Sequence, residues 1–391
     1  MLRNCREIGA ALLLLILTGC ATPERHSHQS SEQMAPMAVE GIRFWDEKMV
    51  SDSEHVYVEE IKSALQYRRE QQGEAGISAL ALSGGGVNGA FSAGILNGWT
   101  ERGDRPEFDV VTGISTGAIV SIYAFLGSDY DEKLTNYYTQ TPLESMFRTN
   151  RWLKVLSQRA FLNTQGFEDQ VRMAIDEATM SALAAERAKG RLLIIGTTNL
   201  DNQKLALWDI GRIAQLGTPE AQTLVQDLVI ASSSIPGAFP AKLISVTDNE
   251  SVYQELHVDG GISRQVVFAP QWFNIEERAS SSPQHLYVIR NGRLISQYEE
   301  VGLSLSDISE RSISTLILNQ GIGDVEHIYH FAQHHEIDFH LAHINEDFNP
   351  KEENSFTPEY MWDLYDYGFQ KIKADQLWQA IPPSLSHREA P

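Results

Sequence analysis

Cysteine is almost missing from this chain. Its 391 residues include two, Cys5 and Cys20, both near the amino terminus. A body without thiols excludes a disulfide framework, cysteine redox chemistry and a cysteine-based metal site. Positive charge is scarce as well: 31 Lys and Arg stand against 52 Asp and Glu, a net charge of −21. That sign argues against nucleic acid as a partner, and it repels anionic lipid, so membrane contact needs a separate anchor. The apolar run Ile8 to Leu17 is too short to span a bilayer. There is no internal repeat, no coiled-coil heptad, no HExxH and no EF-hand loop, so no metal or other cofactor is expected.

What the amino terminus does contain is a segment for export. Arg3 and Arg6 precede the apolar run, and Leu17-Thr18-Gly19-Cys20 closes it. These are the proportions of a signal peptide. The last four residues resemble a bacterial lipobox, in which cleavage leaves a lipidated Cys20. An ordinary signal peptide and a buried helix are the competing readings. Cleavage would remove Arg3, Arg6 and Glu7, a net +1, and leave a body of −22. Ala21, rather than Asp, follows the cysteine. By resemblance to Gram-negative lipoproteins, this implies a lipid-anchored protein of the cell envelope, at the outer membrane.

The chain then divides into three expected parts. Residues 1–19 are the signal peptide. Residues 20–75 form a tether and a helix: Ala21 to about Pro36 is polar and flexible, and Val56 to Arg69 has helical spacing through Val58, Ile61 and Leu65. Residues 76–391 form the main domain. There, strand-like runs (Ser78–Leu82, Phe108–Thr112, Leu192–Thr197, Leu205–Asp209, Glu255–Val258, His285–Arg290, Ile337–Ile344) alternate with helix-like ones (Gly89–Glu101, Thr116–Leu126, Phe167–Arg187, Ala221–Ser232, Leu305–Glu336). The last helix is expected to break near Gly321 and Gly323. Alternation of this kind predicts an α/β fold of three layers, α/β/α, around a mainly parallel central sheet. Asp201 to Lys204 reads as a hairpin turn, which makes part of the sheet antiparallel.

Three motifs fall at strand carboxyl ends, where active sites of such sheets lie. The first is Gly113-Ile-Ser115-Thr-Gly117, set between an apolar β-branched run and a small-residue helix. This is the context of a nucleophile elbow, in which a sharp turn exposes the Ser115 hydroxyl and the two glycines let strand and helix approach. A turn in which Ser115 merely caps the helix is the alternative. The second is Ser83-Gly84-Gly85-Gly86, followed by Gly89, whose bare amides suit an oxyanion. The same glycines satisfy the dinucleotide pattern GxGxxG, although that reading leaves the other motifs and the export segment unexplained. The third is Asp259-Gly260-Gly261, which ends a strand-like run.

Glycine loop, serine elbow and Asp-Gly-Gly, in that order, resemble the patatin-like phospholipase family over about Ile77 to Val267. The resemblance implies a lipid acyl hydrolase with a Ser115–Asp259 dyad, an oxyanion hole at Gly84, Gly85 and Gly86, and a phospholipid or other acyl-ester lipid as substrate. An acyltransferase, a general carboxylesterase and an inactive envelope binding protein are the alternatives on the same site. Many members carry a basic residue where this chain has Asn88, so that position brings no charge to a headgroup.

For Asp259 to act as a base near neutral pH, burial must raise its pKa. His257, two residues earlier on the same strand face, is the competing base. The cluster His327, His330, His334, His335, His340 and His343 includes one i, i+4 pair, but the chemistry implied here calls for no metal. The basic, aromatic stretch Tyr137 to Phe161, which includes Met146 to Lys154, reads either as an interfacial cap or as an ordinary helix pair over the sheet.

Overall fold

The computed structural model describes residues 25–47, 52–72, 76–140, 148–149, 162–248, 251–270, 284–352 and 357–386. The export segment, Cys20 and Met146 to Phe147 therefore lie outside the described residues, as do Asn150 to Lys154. Strands run in chain order as β1 (Ala35–Pro36), β2 (Arg43–Trp45), β3 (Ile77–Leu82), β4 (Val110–Ile114), β5 (Arg148–Thr149), β6 (Leu162–Asn163), β7 (Leu192–Asn199), β8 (Lys204–Asp209), β9 (Lys242–Asp248), β10 (Ser251–Asp259), β11 (Gln284–Arg290) and β12 (Asp338–His343). The helices are α1 (Asp52–Gln72), α2 (Gly89–Arg102), α3 (Thr116–Leu126), α4 (Asp131–Thr139), α5 (Gln165–Ala174), α6 (Glu177–Ala188), α7 (Ile210–Ala214), α8 (Pro219–Ser232), α9 (Leu305–His334), α10 (Pro358–Lys373) and α11 (Pro383–Ser386).

A parallel block β7-β4-β3-β11-β12 forms the centre of the sheet, as the alternation of elements requires. Residue alternation along each strand sends side chains to two helical layers. In β3, Leu80 and Leu82 join the core under α2, α3, α8 and α10, while Ala79 and Ala81 meet α9 through Val325 and Ile328. In β7, Leu193 and Ile195 face the first layer, and Leu192 and Ile194 face α1 through Tyr57 and Ile61. The architecture is therefore the expected three-layer α/β/α.

Beyond β7 the sheet turns antiparallel, through β8 and β2 on one side and β10, β9 and β1 on the other. The expected hairpin joins β7 to β8, with Asn199 Oδ1 accepting from the amides of Asp201 and Asn202. Three expectations need correction. The flexible tether does not reach Pro36: from Arg25 the chain is fastened to the sheet. Arg25 makes a two-pronged pair with Asp201 at 2.9 and 2.6 Å, β1 pairs with β9, and buried Arg43 meets buried Glu255 at 2.6 Å. The helix expected over Phe167 to Arg187 is two helices, because Asp176 leaves the helical path and caps α6 by accepting from the Thr179 amide. Conversely, α9 passes Gly321 and Gly323 unbroken. Gly321 lies where a side chain would press on buried Arg290, its Cβ only 2.9 Å from Nε.

Candidate active site

The edge pairing of β7 brings two catalytic candidates together. β8 occupies one edge of β7 from Ile194 to Asn199, so β4 and β10 must share the other. β4 runs parallel to β7 and ends with Ile114 opposite Gly196. β10 runs antiparallel and ends with Asp259 opposite Thr197, the very next residue. The two strands thus meet head-on at their carboxyl ends, which places Ser115 against Asp259 although 144 positions separate them.

Ser115 leaves β4 through a turn with φ 56° and ψ −125° and stands just before α3, whose amides its side chain does not cap. A non-glycine residue held there stores on the order of 1–3 kcal/mol of strain. The glycines of the motif are sterically required: a Cβ on Gly113 would stand 2.5 Å from the Gly117 carbonyl, and one on Gly117 would run into the Leu82 carbonyl. Ser232, at the end of α8, holds the turn from outside. Its hydroxyl accepts from the Ser115 amide at 2.9 Å and donates to the Gly196 carbonyl at 2.7 Å. Two residues on, the Ser234 carbonyl accepts from the Asp259 amide at 3.0 Å. One short segment therefore ties both strand ends together.

The Ser115 hydroxyl donates to Asp259 Oδ2 at 2.7 Å, and the Gly261 amide donates to Oδ1 at 2.7 Å. Both side chains are buried. Burial pushes the Asp259 carboxyl up from 3.8 to about 7, against the downward pull of those two hydrogen bonds. The geometry therefore supplies a carboxylate basic enough for proton transfer near neutrality, in direct contact with the hydroxyl. His257 is committed elsewhere. Its Nδ1 meets Thr197 Oγ1 at 2.9 Å, its Nε2 meets Glu255 at 3.0 Å, and burial lowers its pKa. It belongs to the Arg43–Glu255 network beneath the site.

The glycine loop divides its labour. The Gly84 amide is occupied, donating to the Gln265 carbonyl at 2.9 Å, so it does not serve as a free donor. Gly84 lies close under the serine: a Cβ there would stand 3.1 Å from Ser115 Cβ. Gly85 adopts φ 156° and Gly86 φ 59°, and neither amide has an acceptor among the described residues. A side chain at Gly85 would collide with the Asn291 carbonyl. Gly89 abuts Thr116 and Tyr138, and Gly260 abuts the Gly196 carbonyl, so both allow close packing behind the site.

Two residues absent from the sequence reading lock this loop. Arg290 Nη1 donates to the Gly84 carbonyl at 2.7 Å and to the Ser83 hydroxyl at 3.1 Å. Asn291 donates its amide to Ser83 Oγ at 2.7 Å and its Nδ2 to the Ser83 carbonyl at 2.9 Å. Arg290 is buried with no carboxylate in salt-bridge contact among the described residues, and burial lowers its pKa to about 10. Such a cation behind the loop favours negative charge in front of it. Arg290 ends β11 and Asn291 follows it, at the same sheet edge as the motifs, and that position is the signal that could have found them.

These groups open into one cavity of about 1110 Å³, whose apolar walls include Ile119, Phe167, Ile235, Phe239 and Ile317. Among the described residues, no three His, Cys, Asp or Glu gather as for a metal. His327, His330 and His334 are exposed, His340 stacks on Tyr287 at 4.6 Å, and His343 is buried. No described helix is long and apolar enough to cross a membrane.

Residues 80–270 match the family model of patatin-like phospholipases. No curated protein matches. Among solved structures, VipD from Legionella pneumophila is 12% identical with a TM-score of 0.37, covering 77% of this chain and 67% of that one. Human GIVD cytosolic phospholipase A2 is 10% identical at TM-score 0.38, covering 88% and 65%. The type III effector protein ExoU is 14% identical at TM-score 0.34, covering 77% and 53%.

Proposed function

We propose, from the premise that residues 80–270 are a patatin-like phospholipase domain, that this protein hydrolyses carboxylic esters of lipids through a Ser115–Asp259 dyad. Ser115 Oγ attacks the acyl carbonyl as its proton passes to Asp259 Oδ2. The carbonyl oxygen, now anionic, accepts from the Gly85 and Gly86 amides, with Gly84 and Arg290 holding the loop in shape. The leaving alkoxide takes the proton from Asp259. Water then repeats the sequence on the acyl-enzyme, giving fatty acid and free Ser115. The observation that carries this reading is the 2.7 Å contact between a strained serine and a buried carboxyl whose pKa stands near 7.

The cell-envelope location through lipidated Cys20 is also a proposal, supported by the sequence of the amino terminus. It would bring a strongly acidic body to lipid that its own charge does not seek.

The test is fatty acid release from phospholipid vesicles and from a short-chain p-nitrophenyl ester, by wild type, Ser115→Ala and Asp259→Asn. Loss of at least about 10²-fold in both variants is expected. Full activity in Ser115→Ala would refute the nucleophile. Product appearing only when glycerol or lysolipid acceptors are added would replace hydrolysis by acyl transfer.

A further inference from the structure

The amino half of α9 projects beyond the sheet. The Gln320 side chain meets Gln265 at 3.2 Å and the Ile262 carbonyl at 3.4 Å, so residue 320 stands level with the turn after Asp259. β12 starts shortly after α9 ends and runs parallel to β11, so α9 runs back along the strands from their carboxyl edge. Residues 305–319 therefore lie past that edge, an overhang of roughly 22 Å at about 1.5 Å per residue. The buried residues of α9, Gly321, Asp324, Val325, Ile328 and Ala332, all belong to its other half.

The overhang is apolar where no described residue covers it. At about 100° per residue, Leu305, Ile308, Ile313 and Leu316 fall in one sector, shared with Ser309, Ser312 and Asn319 and free of charge. Leu305 is 80% exposed, Ile313 58% and Leu316 70%. A contiguous apolar sector of this kind marks an interaction surface, unlike scattered single residues. Asp307, Glu310 and Arg311 lie on the rest of the helix, and Arg311 is paired with Glu299 at 2.7 Å. That side also carries Leu318, which lines the cavity over Ser115. One helix is thus a wall of the cavity and an outward apolar face. It lies outside residues 80–270, so the family match assigns it no role.

Three observations choose a lipid surface as its occupant. The face is continuous with the mouth of an apolar cavity. Next, the amino-terminal chain arrives at the same edge: Arg25 pairs with Asp201, in the β7–β8 turn that extends past Gly196 and the end of β4. Cys20 lies five residues before Arg25, within about 18 Å at full stretch. Finally, the sector is uncharged in a chain of net charge −21, so burial rather than attraction to anionic lipid must drive contact. We infer that Leu305, Ile308, Ile313 and Leu316 dock this protein on the surface of a zwitterionic phospholipid bilayer, with the cavity mouth beside the lipid. The inference goes beyond the hydrolase reading, and its first test involves no turnover.

Full-length protein carrying Cys5→Ser and Cys20→Ser receives one environment-sensitive fluorophore, at Leu316→Cys or, as control, at His330→Cys on the exposed side of the other half of α9. Vesicles of diether phosphatidylcholine, which has no ester to cleave, are then added. The Leu316 probe alone should shift to the blue, and spin-labelled lipid should quench it at the about 5–10 Å depth where interfacial helices bury their apolar faces. No response, or the same response from both probes, would overturn the inference. A Leu316 probe already shielded before lipid is added would assign the face to the chain's own residues and overturn it. A dimer by light scattering that Ile313→Ser with Leu316→Ser dissociates would assign it to a second copy, with the same consequence. Binding abolished by high salt would make charge the driving force and overturn it as well. In the activity arm, Ile313→Ser with Leu316→Ser should cut fatty acid release from phosphatidylcholine vesicles at least about tenfold and leave cleavage of a short-chain p-nitrophenyl ester unchanged. Equal loss on both substrates would overturn docking. If wild type cleaves neither, the hydrolase reading fails by itself, and the probe result still decides.

Discussion

Asp259→Asn separates what Asp259 does for catalysis from what it costs the fold. Burial raises the carboxyl from 3.8 to about 7. At about 1.36 kcal/mol per pH unit, that shift corresponds to about 4 kcal/mol. The sign follows from proton binding. A carboxyl with its pKa raised in the folded state binds the proton more tightly folded than unfolded, so stability is fullest below about pH 4. It declines as pH rises to about 7, and above that the ionised carboxylate lowers stability by the whole amount. Asparagine keeps the shape and carries no charge at any of these pH values. Its Oδ1 can still accept from the Gly261 amide, and its Nδ2 can donate to the Ser115 hydroxyl. The variant should therefore gain up to about 4 kcal/mol over wild type at pH 8 and nothing at pH 4.

For a chain of this length, one kcal/mol moves Tm by about 1 °C, so the gap at pH 8 should be about 4 °C. Thermal unfolding of both proteins at pH 4, 6 and 8 measures it. Fatty acid release by the same preparations should fall at least about 10²-fold in the variant. In wild type, the rate should rise about tenfold per pH unit below pH 7 and level off above it, because the base must be ionised. A Tm gap that does not change with pH would refute the raised pKa. A variant that is active at pH 8 would refute the role of Asp259 as base.

Ser115→Gly should raise Tm by relieving the strain at φ 56°, while Ser115→Ala keeps the strain; both should lose activity at least about 10²-fold, and a lower Tm for the glycine variant would refute the strain. Arg290→Met leaves the Gly84 carbonyl without its donor and removes the cation behind the loop, so kcat should fall about tenfold or more with KM nearly constant; a change confined to KM would count against it. Arg43→Met breaks a fully buried ion pair and should cost about 3–5 kcal/mol in denaturant unfolding, because Glu255 keeps its contact with His257 but loses its buried cation; a loss under about 1 kcal/mol would refute that account. Chelation with EDTA should leave hydrolysis unchanged, since Ser115 already touches its base directly; loss of activity that calcium restores would refute this.

Local constraints made the motifs legible. Gly113 and Gly117 are forced by close backbone approach within one turn, and such a constraint is written into neighbouring residues. Of the five parallel strands, β3, β4 and the first half of β7 were legible as nearly continuous apolar runs covered on both faces, and β11 and β12 as shorter runs in which apolar residues are interrupted by histidine. In the antiparallel margin β8, its hairpin and the end of β10 were legible, but β1, β2 and β9 were not. β9 alternates buried Ile244 and Val246 with exposed Leu243, and β2 is three residues long, too short for a period to register. The boundary of β4 moved two residues toward Ser115 because pairing with β7 continues to Ile114. Ser232 and Arg290 could not be placed from spacing, since their roles arise only where sequence-distant strand ends converge. The occupied amide of Gly84 belongs to the same class: an oxyanion role read from three consecutive glycines took no account of Gln265, which claims one of them.

Three separate costs meet at this point of the fold: a serine in a strained backbone conformation, a carboxyl buried far above its ordinary pKa, and an arginine buried without a carboxylate partner. A helix-capping turn at Ser115 explains none of them, because a cap needs neither a positive φ nor a buried acid within 2.7 Å. A dinucleotide-binding glycine loop explains the arginine at most. Acyl transfer accounts for all three. On the proposed reading the strain would aim the hydroxyl, burial would give the carboxyl its basicity, and the buried cation would stiffen the loop whose free amides would face the developing oxyanion. Since each feature destabilises the folded chain on its own, their coincidence around one cavity favours a site shaped by its reaction over one shaped by the needs of packing.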